Sequence, residues 1–185
     1  MMRWGAAVLL VVAWGLAAGP AMAEQRTGQN LSIKAFRGNW TGSAVSNNRD
    51  SIYFGVTIRD LDFTLEGDDQ AFTVHWTTVM RRGGTPDRPN IRRKETTVRF
   101  VPAASPGVWR GVESGDPLAG KDTIWGRVRG RSLILYFLDI TDTGTYALSR
   151  YVRTLSGSGM DLEFTLIVDG EPMRTVRGKM VKQSD

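Results

Sequence analysis

The residues able to do chemistry are few and widely spaced. The chain holds one histidine, His75, and no cysteine. A cysteine nucleophile is therefore excluded, and His75 has no metal-site spacing around it, since zinc sites use further His or Cys ligands. A Ser-His-Asp arrangement would have to run through His75, and nothing in the sequence orders its partners. His75 also falls between Val74 and Trp76, on the parity opposite Phe72, Val74 and Trp76, so it is expected to face away from the core of its strand. Carboxylates are the remaining acid–base candidates. Asp139 and Asp142 bracket the end of an apolar run, and Asp139 shares the parity of Leu135 and Phe137, which points it inward. An inward carboxylate takes either a raised pKa or a cationic partner. Arg150, on the parity of Tyr146, Leu148 and Val152, is the partner expected across a hairpin. Two readings stand: a solvated strand-end pair, or an internal polar anchor for the head of a ligand. The densest basic stretch is Arg81-Arg82, Arg88 and Arg92-Arg93-Lys94. It reads either as a solvated hairpin tip or as a docking patch for anionic lipid or envelope polymer. No aromatics interleave there, which disfavours stacking on nucleic acid.

The elements that must position these residues are strands. Polar–apolar alternation and glycine-based turns dominate, and helix signals are scarce. Leu31–Phe36 is expected to form one short helical turn before a strand over 39–46, with Trp40, Gly42 and Ala44 on one face and a turn at Asn47-Asn48 and Asp50. Ile52, Phe54, Val56 and Ile58 keep one parity, whereas Leu61, Phe63 and Leu65 keep the other. That switch predicts a β-bulge near Arg59-Asp60, or a tight turn there. Further strands are expected over 70–80, 91–101, 108–113, 122–129, 131–141, 145–155, 160–168 and 173–181, with a long loop over 81–90. The run Leu133–Ile140 is apolar at both parities, which predicts cover on both faces. Asp169-Gly170 between two alternating runs marks a tight hairpin. Nine or ten strands in one meander favour closure into a barrel, because closure removes exposed edges.

Composition bounds the setting. Met1–Ala23 carries an early cation, Arg3, an apolar run and the small-residue triplet Ala21-Met22-Ala23. This is the pattern of a secretory signal cleaved after Ala23, so a bacterial periplasmic or secreted protein is expected, with residues 24–36 as a lead-in and 37–182 as the barrel. No other apolar run is long enough to span a bilayer as a helix. A membrane barrel is disfavoured by the charged outer rows, and the mature chain is expected not to be transmembrane. The formal net charge of +5 favours anionic neighbours. Asn39-Trp40-Thr41 matches a glycosylation acceptor but overlaps a strand, and is taken as coincidence.

Phe36-Arg37-Gly38-Asn39-Trp40, at the entry to the first strand, resembles the Gly-x-Trp opening of lipocalins and related calycin barrels. The resemblance implies that Trp40 closes one end of the barrel and that a basic residue near the last strand packs over its ring. Arg177 is the residue expected there, with Arg174 and Lys179 as the other candidates. The C-terminal helix of that family is not evident. The fold expected is a single antiparallel up-and-down barrel of eight to ten strands, with Trp40, Phe54, Val56, Phe72, Trp76, Phe100, Phe137, Leu148 and Phe164 facing inward. The function expected is non-catalytic: binding or carrying a small apolar or amphipathic ligand in contact with Phe54, Trp76, Phe137, Asp139, Tyr146 and Arg150, with no cofactor and no metal. The rival is an envelope interaction module with a filled barrel and a working basic loop.

Overall fold

A computed structural model describes residues 29–48, 57–85 and 88–184. The expected export signal, Phe54 and Val56 lie outside them. Ten antiparallel strands follow one another: β1 (Gly38–Asn48), β2 (Thr57–Gly67), β3 (Phe72–Thr85), β4 (Arg88–Pro102), β5 (Val108–Gly111), β6 (Thr123–Arg129), β7 (Ser132–Ile140), β8 (Tyr146–Ser156), β9 (Gly159–Val168) and β10 (Glu171–Lys182). Each pairs with its chain neighbours, and β1 pairs with β10, so the meander closes into a barrel. Among the described residues no helix is long and apolar enough to cross a membrane.

Alternation builds the strands. Leu61, Phe63 and Leu65 of β2, Phe72, Val74 and Trp76 of β3, and Val98 and Phe100 of β4 are all buried. The residues between them on β4, such as Arg93, Glu95 and Arg99, are exposed. Each large side chain buried this way contributes about 1.5–3 kcal/mol. Asp169 and Gly170 adopt positive φ, 48° and 87°, in the two-residue turn whose twist matches the flanking strands. Leu133, Ile134 and Leu135 are buried in succession, so β7 is covered on both faces at that point.

Three local expectations are corrected. No bulge interrupts β2: its pairing with β1 runs unbroken from Leu65 opposite Gly38 to Thr57 opposite Ser46. Ile58 faces outward and is 63% exposed, and the inward row continues through Arg59. Between Ile58 and Leu61 the change of parity thus marks a cation on the inward row, not an inserted residue. Asn47 and Asn48 are not a turn; they pair with Thr175 and Arg174. The loop expected over 81–90 is largely strand, because β3 and β4 pair out to Thr85 and Arg88, with the register shift between Arg81 and Gly84.

One end of the barrel is plugged. Ser32 and the 3-10 turn Ile33–Phe36 lie across it, with Ile33 and Phe36 wholly buried. Asp69, in the β2–β3 turn, holds the turn in place: it accepts from the Ser32 hydroxyl and, at 2.9 Å, from the Ile33 backbone N–H. The indole of Trp109 donates to the Asp69 carbonyl at 2.9 Å. Beneath the plug, Phe72 stacks on Phe100 with centroids 4.9 Å apart and meets Trp109 edge-on at 5.6 Å. The large side chains of the inward rows fill this half of the barrel.

Candidate functional site

Towards the other end the inward rows change character. The β2 row Leu65, Phe63, Leu61 ends in Arg59. The β4 row Phe100, Val98 and Thr96 ends in Lys94 and Arg92, and the β10 row Met180, Gly178 and Val176 ends in Arg174. The cations that end these rows line a cavity of about 270 Å³ whose apolar wall includes Leu61, Phe63, Trp76, Met80, Leu162 and Phe164. Arg92 and Lys94 stand exposed at its mouth, on the stem of the basic hairpin. The β3–β4 hairpin therefore brings that sequence patch to the open end of the barrel.

Arg153 lies on the cavity wall and is only 2% exposed. Its guanidinium carbon sits 4.1 Å from the centroid of Phe63, 5.2 Å from Trp76 and 5.6 Å from Tyr151. Nε and Nη1 are buried and have no hydrogen-bond acceptor among the described residues. Burial lowers its pKa from the ordinary arginine value to about 10, so it remains a cation at neutral pH. Three aromatic faces offset part of the lost hydration. Tyr151 belongs to a chain of rings: Trp76 at 5.2 Å, Phe137 at 5.7 Å and Phe164 at 4.7 Å. Burial pushes its phenol above the usual 10.0, opposed by the charges of Arg153, Arg59 and Arg174. Arg59 also donates from Nη2 to the buried Ser46 hydroxyl at 3.1 Å.

The sequence-derived site residues separate into groups. Trp76 lines the cavity, and Phe137 packs edge-on against it with centroids 5.8 Å apart. Asp139 keeps the parity of Phe137 but sits exposed at the rim, opposite Ala147. Arg150 does not reach it. Arg150 pairs with Tyr136 in the ladder, faces outward and lies 3.6 Å from Glu163. Tyr146 and Leu148 share that outer row, and the Tyr146 backbone N–H donates to Asp169. The inward row of β8 is instead Ala147, Ser149, Tyr151, Arg153 and Leu155. The reversal has a physical cause: the residues of β8 that face the hollow part are small or polar, so counting apolar side chains selects the wrong face.

Trp40 is buried at the plugged end, and its indole N–H donates to the Phe36 carbonyl at 3.0 Å. The cation nearest its ring is Lys182, 5.8 Å from the centroid, not Arg177. Arg177 points outward, 77% exposed, with Nε 3.3 Å from Glu163. Gly178, not Arg177, has the inward position beside Ala44. His75 hydrogen-bonds Thr97 through Nδ1 at 2.7 Å, away from the cavity. Sequence reasoning missed Tyr151 and Arg153 altogether. The available signal was the recurrence of inward apolar rows that end in a cation on β2, β4 and β10.

No family model and no curated protein matches this sequence. Among solved structures, the chain is similar to an S-type phycobiliprotein lyase from Guillardia theta, at 10% identity over 84% of this chain and 94% of that one, with a TM-score of 0.37.

Proposed function

We propose that this protein is a non-catalytic carrier that holds a small apolar or amphipathic molecule inside its barrel and acts in the periplasm or outside the cell. One observation carries the reading: the interior is packed solid beneath the plug and hollow beyond it, where apolar walls surround a buried cation. A site of this kind removes the ligand from water and orients it by a small number of polar groups. The cations at the mouth, Arg92 and Lys94, favour approach by anionic molecules or surfaces, an effect that salt screens. His75 and Asp139, the groups a hydrolytic reading would use, lie respectively away from the cavity and at its rim.

Native mass spectrometry of the protein purified from its own source tests this directly. The expected spectrum contains a species heavier than the bare polypeptide, with a small molecule released on denaturation. A panel of amphiphiles is expected to change tryptophan fluorescence, because Trp76 lines the cavity. Bare polypeptide alone, with no fluorescence response to any amphiphile, refutes the carrier reading.

A further inference from the structure

We infer that the cavity selects ligands with a single anionic oxygen head, a carboxylate above all, and that Arg153 is the residue that receives it. The inference rests on the carrier reading and names the class of molecule carried.

A buried cation is normally paired with a carboxylate or fully hydrogen-bonded, because desolvation otherwise goes uncompensated. Arg153 makes no ion pair among the described residues, and its Nε and Nη1 have no acceptor there. Its ring neighbours Phe63, Trp76 and Tyr151 surround the guanidinium without supplying an acceptor to Nε or Nη1. The carboxylate on the cavity wall, Asp62, accepts from the Thr41 hydroxyl at 2.9 Å, in an exposed bond on the outer side of β1 and β2. The remaining charged lining residues, Arg59, Arg92, Lys94 and Arg174, are all cations. Apart from Asp62, the charged side chains on the wall of the hollow, from Arg92 and Lys94 at the mouth to Arg153 within, are thus cations. A ligand with an apolar body satisfies the aromatic wall, and an oxyanion at its end satisfies Arg153.

The head is better matched by a carboxylate than by a doubly charged phosphate. Arg153 is the fully buried cation among the charged lining residues, and its planar donors fit a planar acceptor. The Tyr151 ring, 5.6 Å from the same guanidinium, also lines the cavity.

The test compares three ligands of equal chain length, decanoate, decanol and decylammonium, titrated calorimetrically into the intact mature protein. The expected order is decanoate tighter than decanol by about tenfold or more, as a hydrogen bond to a charged group allows, with decylammonium weakest. Arg153→Met keeps the length of the side chain and removes its charge; it is expected to bind decanoate and decanol equally. Arg153→Lys, which keeps the charge without the planar fork, is expected to retain part of the preference. Equal binding of decanoate and decanol by the parent protein overturns the inference and leaves the carrier reading standing. Binding of none of the three refutes both. A decanoate preference that survives in folded Arg153→Met overturns the role of Arg153 and assigns the selectivity to the cations at the mouth. Should Arg153→Met fail to fold, the parent's preference and its reduction in Arg153→Lys decide the question.

Discussion

Arg153 is a cation held in the interior at a cost in hydration. Burial lowers its pKa to about 10, the direction expected when a charge is kept out of water. Tyr151 beside it is perturbed in the complementary sense, since burial disfavours the phenolate and raises its pKa above 10.0. The signs work in opposite directions. A base with a lowered folded pKa carries its full penalty below about pH 10 and regains stability as pH rises from there towards the ordinary arginine value. An acid with a raised folded pKa loses stability once pH passes the unfolded value of 10.0, because the unfolded chain releases its proton first. Ultraviolet absorbance of phenolate is therefore expected to show a phase titrating above 10.0 in the folded protein that Tyr151→Phe removes. The same substitution is expected to lessen the fall of the urea midpoint above pH 10. A titration curve identical in parent and variant refutes the buried placement of this phenol.

At the scale of elements, the 3-10 turn Ile33–Phe36 is what closes one end, and Trp40 ties it to the first strand. The Phe36 carbonyl, at the end of that turn, accepts the Trp40 indole N–H, while Ile33 and Phe36 sit wholly buried among the strands. Trp40→Ala removes the largest side chain at the junction and leaves that carbonyl without its donor. A loss of about 3–5 kcal/mol is expected, as for other large-to-small changes in a core. Thermal and urea unfolding measure it, and an unchanged melting temperature refutes the anchoring role. The β3–β4 hairpin works at the opposite end. Its strands pair out to Thr85 and Arg88 and so extend the wall at the mouth.

At the scale of the whole molecule, closure depends on the seam between β1 and β10. A Cβ on Gly178 would meet the Ser43 carbonyl oxygen at 2.5 Å and the Ala44 Cβ at 2.6 Å; one on Gly42 would meet the Lys179 carbonyl oxygen at 2.0 Å. Two inward glycines, one on each strand, let the backbones come together where the wall meets itself. Gly178→Val is expected to destabilise by about 3 kcal/mol or more, at the upper end for overpacking. Gly157→Ala, in the open β8–β9 turn with nothing within 4 Å of the added carbon, is the matched control and is expected to change little. Equal urea midpoints for the two variants refute a tight seam.

The barrel was legible because its evidence is local. Leu61, Phe63 and Leu65, or Phe72, Val74 and Trp76, announce an inward face by spacing alone, and Asp169-Gly170 announces its turn by the φ it can adopt. A meander without long connections then leaves closure as the way to cover both edges. The site was not legible by the same rule, because a hollow interior inverts it. Ile58 faces water and Arg59 faces the cavity; Leu148 lies on the outer row and Arg153 on the inner one. A lone strand gives no reason to prefer a cation inside over an aliphatic residue outside. That choice belongs to the neighbouring strands, whose phase is fixed by pairing Tyr151 with Leu135 and Phe164 and Arg153 with Leu133 and Leu162. Sequence by itself thus determined an all-β chain with alternating faces and the turns that join them. Only the tertiary structure decided which residues share the hollow, since that depends on register between strands far apart in the chain and on where the packed side chains stop.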